Sequence, residues 1–255
     1  MQKSGFTLIE LLISLSLLLV VLAVASDLIV SNQRVANTTV LRNQIAEDAR
    51  LSILRMTEIV SQSAYIYPAG QTITLSGFSV NTSSGLVVLV PWESPYCNDN
   101  NLAGNAAYKT YYCGFIYRVE PRAPYAAKLG NVSNTTGQVL VEYRYRWVSW
   151  PTNTTPITNW TALSAPSVGV VADSVDTANT DLVGNLQLAA RSSPVDTGLK
   201  NDTSVTTSSA NALIWAVQPQ VGLALTYGQT SLSINRSEVM YARAIPRVAD
   251  PGTGF

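Results

Sequence analysis

The chain has 255 residues, and its 16 lysines and arginines balance its 16 acidic residues, so the formal net charge is zero. This balance gives no overall field that would attract nucleic acid or an acidic membrane. The sequence has no histidine, which excludes Ser-His-Asp and Cys-His catalysis as well as histidine-ligated metal. We therefore expect a protein that is not an enzyme and that uses no cofactor.

The first segment of the chain has the length and composition of a membrane span. Residues 1–5 are short and polar with one cation, Lys3, and residues 6–26 contain a single charge, Glu10. As a helix, residues 6–26 would be about 31 Å long, which is enough to cross the hydrocarbon core of a bilayer. Lys3 before the span and Asp27 after it favour a cytoplasmic N-terminus.

Two processing hypotheses fit this segment. The apolar run 11–22 followed by Ala23-Val24-Ala25 fits a secretory signal cleaved after Ala25, which would release a secreted binding protein. Glu10 speaks against it, because a carboxylate near the bilayer centre costs about 2.5 to 3.5 kcal/mol. Cleavage after Gly5 would instead create an amino group on Phe6, and this group on a neighbouring copy could neutralise Glu10.

The segment Gly5-Phe6-Thr7-Leu8-Ile9-Glu10, with its short leader and the apolar run after it, resembles the N-terminal motif of type IV pilins and type II secretion pseudopilins. The resemblance implies cleavage after Gly5 by a prepilin peptidase and N-methylation of Phe6. It also implies that the helix packs into a filament core, where Glu10 meets the N-terminus of a neighbouring subunit.

The same resemblance implies a location and a set of partners. Before assembly the protein would be a single-pass inner-membrane protein with a cytoplasmic N-terminus, and afterwards part of a cell-surface pilus or a periplasmic pseudopilus. Its partners would be the prepilin peptidase, the inner-membrane assembly platform and other pilins, bound through the N-terminal helix.

A long helix is predicted because neither glycine nor proline occurs between Phe6 and Tyr67. Beyond Val30 the apolar residues recur at steps of three to four, which is typical of an amphipathic helix lying on a sheet. Tyr67 before Pro68 should end this helix. The predicted organisation is a leader at 1–5, a transmembrane or filament-core helix at 6–30, an amphipathic helix at 31–67 and a β-rich head at 68–255.

The head is read as antiparallel β-sheet, which makes the expected fold class α+β. Alternating or apolar runs bounded by turn residues predict strands at 72–75, 86–92, 111–119, 139–148, 213–217, 221–227 and 239–244. The clearest alternation puts Tyr143 and Tyr145 on one face of a strand and Glu142, Arg144 and Val148 on the other. The segments 151–166 and 191–211 are predicted to be exposed loops.

Two cysteines, Cys97 and Cys113, are too few for a four-thiolate metal site and too far apart for a redox CxxC motif. In an exported head they are expected to form a disulfide, which would stabilise the fold by about 3 kcal/mol.

Two segments are candidates for a calcium site. Residues 99–104 begin like a calcium-binding loop but lack two of its ligands. Three aspartates in loops, Asp173, Asp176 and Asp181, do not have the spacing of a known metal-binding motif. No metal site is therefore expected.

Arg118, Arg144 and Arg146, with Tyr145 among them, could form a cationic and aromatic contact surface for DNA or a partner. The competing interpretation is that these arginines face outward from two neighbouring strands and only solvate the sheet. DNA binding is therefore possible but not favoured.

The layout and size of the head resemble the larger minor pilins of PilW type and the J-type pseudopilin. The expected function is that of a minor pilin that initiates or tips a type IV pilus, with a role in assembly, adhesion, motility or DNA uptake. The alternatives are a type II secretion minor pseudopilin and the secreted binding protein described above.

Overall fold

The computed structural model describes residues 8–92, 94–97, 111–130, 136–149, 157–183, 187–190, 213–227 and 230–241. The chain divides into two compact units, Met1–Ala46 and Glu47–Phe255. The predicted calcium-like loop at 99–104 and the predicted loop at 191–211 lie outside the described residues.

The long helix α1 (Leu8–Ser61) contains 54 residues and is continuous, as the absence of glycine and proline predicts. Several of its serines and threonines donate their hydroxyls to backbone carbonyls one turn earlier, as Ser14 Oγ does to the Glu10 carbonyl at 2.8 Å. In the first unit the large apolar side chains from Leu8 to Val30 are exposed. This part of the helix therefore has an apolar surface that the described fold does not cover.

The helix ends at Ser61, earlier than the boundary at residue 67 that the sequence predicts. The Ser63 hydroxyl donates to the Val60 carbonyl at 2.7 Å, and the Ala64 amide donates to the Leu89 carbonyl at 2.8 Å. The backbone therefore leaves the helix to pair with a sheet. The prediction failed because a strand partner distant in sequence competes with the helix, and Pro68 marks only the last possible end.

Twelve strands are present among the described residues. They are β1 (Tyr65–Ile66), β2 (Thr72–Thr74), β3 (Ser79–Asn81), β4 (Leu86–Pro91), β5 (Tyr111–Pro121), β6 (Gln138–Ser149), β7 (Ser167–Ala172), β8 (Gln187–Ala190), β9 (Leu213–Val217), β10 (Gln220–Tyr227), β11 (Thr230–Ser237) and β12 (Met240–Tyr241). Every pairing between them is antiparallel. The α+β class is thereby confirmed.

The largest sheet has the strand order β1-β4-β5-β6-β7, and the other strands form the pairs β2-β3 and β10-β11 and the triplet β12-β9-β8. In the central pair Tyr117 of β5 lies opposite Glu142 of β6, and Ile116 lies opposite Tyr143. Because neighbouring residues of a strand point to opposite faces, Tyr117 and Glu142 share one face, and Ile116 and Tyr143 share the other.

Both faces of this sheet are covered. The last part of α1 packs on one face, where Met56, Ile59 and Val60 are fully buried. The other face carries a hydrophobic cluster that includes Ile116, Tyr143 and residues from β2 and β3. A strand covered on both faces has no free polar side, which explains why β4 is apolar along most of its length, LVVLVP.

The alternation predicted for β6 holds only up to a bulge. Tyr112 lies opposite Val148 and Gly114 lies opposite Tyr145, so that β6 has one residue more than β5 between these two pairs. An extra residue reverses the faces of everything beyond it. Val148 therefore joins Tyr145 in the hydrophobic cluster instead of sharing the face of Arg144, which corrects the prediction.

The described part of the predicted loop, residues 157–166, is largely exposed as predicted, with Trp160 as a buried exception. Residues 151–156 lie outside the described residues, but Trp160 is fully buried and its Nε1 donates to the Ile157 carbonyl at 2.9 Å. The indole lies against Gly114, where an added Cβ would overlap the ring. Its ring centroid is 5.5 Å from that of Tyr145. Glycine is thus required in β5 because the indole occupies the position of a side chain.

Candidate functional site

Only part of the N-terminal motif lies among the residues that the structure describes. Gly5 and Phe6, the predicted cleavage and methylation positions, lie outside the described residues. Glu10 lies in the first turn of α1 and is exposed, with Ile9 and Leu11 exposed beside it. A carboxylate in the first turn of a helix also interacts favourably with the helix dipole.

By length and composition α1 can cross a membrane, and the apolar stretch that meets this criterion is not buried within the fold. Buried core helices of soluble proteins pass the same test, but their apolar residues are covered. Exposure of such a stretch to water is unfavourable by about 25 cal/mol for each Å² of apolar surface. The helix therefore requires a membrane or other helices around it.

The helix is fastened to the main sheet by an ion pair that joins Arg55 to Glu142. Arg55 Nε donates to Glu142 Oε2 and Nη2 donates to Oε1, both at 2.9 Å, which is the two-pronged geometry that guanidinium and carboxylate prefer. Tyr117 donates its hydroxyl to the same carboxylate at 2.8 Å. We refer to Arg55, Glu142 and Tyr117 as the helix clamp.

Two members of the helix clamp, Arg55 and Tyr117, keep their protonation state across the physiological range. The pKa of Arg55 is raised above its ordinary value, chiefly by its hydrogen bond to Glu142. Burial, followed by the nearby Glu142 charge, raises the pKa of Tyr117 well above its ordinary value. Tyr117 therefore remains a donor and Arg55 a cation wherever the fold itself is stable.

A second set of contacts joins the same stretch of helix to the segment that precedes Cys97. The Arg55 guanidinium lies 5.0 Å from the centroid of the Tyr96 ring, and Tyr96 donates its hydroxyl to Glu58 Oε2 at 2.8 Å. Ser94 donates its hydroxyl to the Gln62 side-chain carbonyl. Sequence patterns do not predict this network, because an arginine and a glutamate distant in sequence give no local signal of pairing.

The predicted disulfide between Cys97 and Cys113 is present, with the two Cα atoms 5.6 Å apart and both residues fully buried. The bond joins the start of β5 to the segment that contacts α1 through Tyr96. Arg144 Nη2 donates to the Cys97 carbonyl at 3.4 Å. The disulfide therefore supports the side of the sheet on which the helix lies.

The structure does not bring the predicted DNA-contact residues together. Tyr145 is buried in the hydrophobic cluster, so it offers no ring for stacking on a base. Arg118 lies opposite Val141 on the face of that cluster, whereas Arg144 lies opposite Phe115 on the face of the helix clamp. Arg146 is half-buried beside the bulge. A joint cationic and aromatic surface is thereby contradicted.

Arg118 instead belongs to a polar cluster around Glu120. Its Nε donates to Glu120 Oε1 at 2.8 Å, and the hydroxyls of Tyr143 and Tyr125 donate to the same carboxylate at 2.6 and 2.5 Å. Burial raises the pKa of both tyrosines, so both stay protonated donors. The Arg118 guanidinium also lies 5.1 Å from the centroid of the Phe78 ring.

The three loop aspartates do not gather around a common point. Asp173 accepts from Arg122 Nε at 2.9 Å, Asp176 accepts from the Ala178 amide at 3.1 Å, and Asp181 accepts from the Val183 amide at 3.0 Å. Among the described residues no group of three histidine, cysteine, aspartate or glutamate side chains could hold a metal ion. Each aspartate thus has a local structural contact.

Residues 1–26 match the family model of the prokaryotic N-terminal methylation motif. The motif implies processing by a prepilin peptidase and assembly with other pilins, and it indicates a type IV pilin-like protein or pseudopilin. Together with the apolar helix it indicates anchoring in a membrane before assembly. No curated protein and no solved structure matches the chain.

Proposed function

We propose that the chain is a minor pilin that initiates or tips a type IV pilus, with no catalytic activity of its own. The observation that carries this proposal is the methylation motif at residues 1–26, followed by an exposed apolar helix with Glu10 in its first turn. The size of the head, predicted at residues 68–255, resembles that of the larger minor pilins and favours a minor subunit over a shaft subunit.

Glu10 drives assembly in this proposal. Cleavage after Gly5 places a new amino group on Phe6, and a neighbouring subunit brings that amino group to the Glu10 carboxylate. The pairing removes the free-energy penalty of about 2.5 to 3.5 kcal/mol that a carboxylate meets near the centre of a bilayer. Apolar packing between helices supplies the remaining stability of the filament core.

The head remains attached to its own last stretch of helix during this process. The helix clamp and the contacts of Tyr96 hold residues 47–61 of α1 on the sheet. A pair formed by Arg55 with two parallel hydrogen bonds fixes the register of the helix as well as its position. The head would thereby keep one orientation relative to residues 47–61.

The experiment that tests the proposal is the intact mass of the mature protein, with fragmentation of its N-terminus. We expect a chain that begins at methylated Phe6, and a Gly5→Leu variant that keeps its leader. The matched control is Ser4→Ala, a change at the residue directly before Gly5, which should be processed normally. A mature chain that begins at Ser26 would contradict both the processing and the filament function.

A companion measurement separates a pilus from a secretion pseudopilus. Deletion of the gene should abolish or shorten surface pili while secretion of exoproteins continues at its normal level. Loss of exoprotein secretion with intact pili would instead identify a type II secretion minor pseudopilin.

A further inference from the structure

A polar cleft of about 780 Å³ lies in the second unit, away from the helix clamp. One wall is the ribbon β2-β3 with the turn after it, the other is the segment 177–182, and Arg118 of β5 contributes between them. The volume falls within the range typical of small-molecule sites. We infer that this cleft binds a neutral carbohydrate, which goes beyond the proposed function and does not depend on it.

The first wall presents a row of neutral polar side chains. In β2 and β3 the central residues, Ile73 and Val80, are buried, while Thr72, Ser79 and Asn81 are exposed and line the cleft. Thr72 lies directly opposite Asn81 in the ribbon. Within the part of the chain that the structure describes, the hydroxyls of Thr72 and Ser79 make no hydrogen bond, so both can bond to a ligand.

Both walls are held in place before any ligand binds. On the first wall, the buried Thr82 hydroxyl donates to the Pro68 carbonyl at 2.6 Å and accepts from the Gln71 amide at 2.9 Å. On the second, Asp181 and Gln220 exchange backbone hydrogen bonds at 2.9 and 2.6 Å. A preformed cleft avoids the entropic cost of ordering a loop on binding.

Arg118 is the best-supported polar group in the cleft. Its Nε is bonded to Glu120, which is itself held by the hydroxyls of Tyr125 and Tyr143. The guanidinium has four further N–H donors, and it is about a third exposed at 29%. A donor fixed in this way can bond to two neighbouring oxygens of one ligand.

The charges of the cleft disfavour an anionic ligand. Arg118 and Asp181 both line it, and Glu120 is bonded to Arg118, so the cleft has no excess of positive charge that would favour an anion. The remaining polar groups are hydroxyls and an amide, which both donate and accept. The hydroxyls of a sugar have the same dual character, and they match a mixed lining of this kind.

The test uses the full mature chain in a polyoxyethylene detergent, because glycosidic detergents would compete for the cleft. The probe is an array of immobilised neutral oligosaccharides, with sialylated and sulfated oligosaccharides as a second arm. We expect saturable binding to members of the neutral arm, reversed by the same oligosaccharide in solution. Binding confined to the acidic arm, or to neither arm, would overturn the inference.

A matched pair of variants assigns binding to the cleft. Ser79→Trp fills the cleft from an exposed strand position and should weaken binding at least about tenfold. Ser233→Trp makes the same change at an exposed position of β11, outside the cleft, and should leave binding unchanged. Equal loss in both variants, or no loss in Ser79→Trp, would contradict the assignment.

A milder variant covers the case in which Ser79→Trp fails to fold. Thr72→Ala with Ser79→Ala removes two exposed hydroxyls and should weaken binding several-fold while the thermal unfolding midpoint stays the same. Unchanged binding would also overturn the assignment. If oligosaccharide binding fails but the mature chain begins at methylated Phe6, the carbohydrate inference is wrong and the proposed filament function is unaffected.

Discussion

Two stretches of the same helix carry charges in different settings. Residues 8–30 expose apolar side chains, and the two charged residues among them are Glu10 near the start and Asp27 near the end. Residues 47–61 bury one face, and Arg55 is bonded to Glu142 within the same fold. The first stretch needs a membrane or other subunits to cover it, whereas the second is covered by the chain itself. Changes in the first should therefore affect assembly, and changes in the second should affect folding.

The largest effect is expected at Glu10. Glu10→Gln removes a charge that opposes membrane insertion, so insertion should be preserved. Incorporation into filaments should fall at least about tenfold, because the pairing with the neighbouring amino group is lost. The measurement is the ratio of the variant to the major subunit in sheared filaments, compared with its ratio in the membrane fraction.

Asp27→Asn is the matched control for this change. Asp27 is an exposed carboxylate on the same helix, just past the apolar segment, and its neutralisation should leave both insertion and incorporation near the wild-type level. Normal recovery of the Glu10→Gln variant in filaments would remove Glu10 from the assembly mechanism.

The next largest effect is expected from the disulfide, which supports the segment that contacts the second stretch. Cys97→Ser should lower the free energy of unfolding of the head by about 3 kcal/mol, since the unfolded chain loses a closed loop. Chemical unfolding of the full chain with and without reductant measures this. Wild-type protein under reductant should approach the variant, and two readily alkylated thiols in unreduced wild-type protein would show that the bond does not form.

The helix clamp should contribute somewhat less. Arg55→Ala leaves the Glu142 carboxylate, 12% exposed, without its cation, and the cost should be about 2 kcal/mol after allowance for the partial exposure of Arg55. Arg50→Ala is the control, because its pair with Glu47 is exposed on both sides and is worth at most about 0.5 kcal/mol. Equal effects of the two variants in thermal unfolding would contradict the clamp.

The smallest effect concerns Asp48 in the second stretch. Partial burial, then the charges of Asp173 and Glu47, raise its pKa in the folded state, so its ionised form opposes folding. Asp48→Asn should therefore stabilise the head slightly at neutral pH. The gain should disappear as the pH falls below the ordinary aspartate range, where Asp48 is protonated in both states. Thermal midpoints at several pH values test this, and a gain that is constant with pH would speak against the charge.

The sequence predicted the parts of the fold that depend on local patterns. The absence of glycine and proline predicts the continuous helix, and apolar or alternating runs predict strands β4, β5 and β6. It missed β1, β3, β7, β8 and β11. Of these, β7 and β11 have the sequences SVGVVA and TSLSINRS, which contain a glycine or mostly polar residues. Such segments become strands because a neighbouring strand satisfies their backbone, and no local pattern reports that neighbour.

The same limit applies to the candidate site. Glu10 was identified as the charge within an apolar run and a pilin-like motif, and the disulfide was predicted because the chain has two cysteines. Arg118 and Arg144 were grouped because they lie near aromatic residues in sequence, and the sheet places them on opposite faces. The pairing of Arg55 with Glu142 depends on how α1 lies on β6, which is a property of the packed structure. Side-chain pairs between elements distant in sequence therefore could not be predicted from the sequence.

The contact between Trp160 and Gly114 makes the burial of this indole an indicator of whether the head is correctly folded. The indole contacts Gly114 of β5 and Tyr145 of β6, and the Trp160 amide donates to the Thr74 carbonyl of β2 at 2.7 Å. One side chain thus depends on three strands at once. We therefore expect the burial of Trp160 to mark a head in which these three strands are in place.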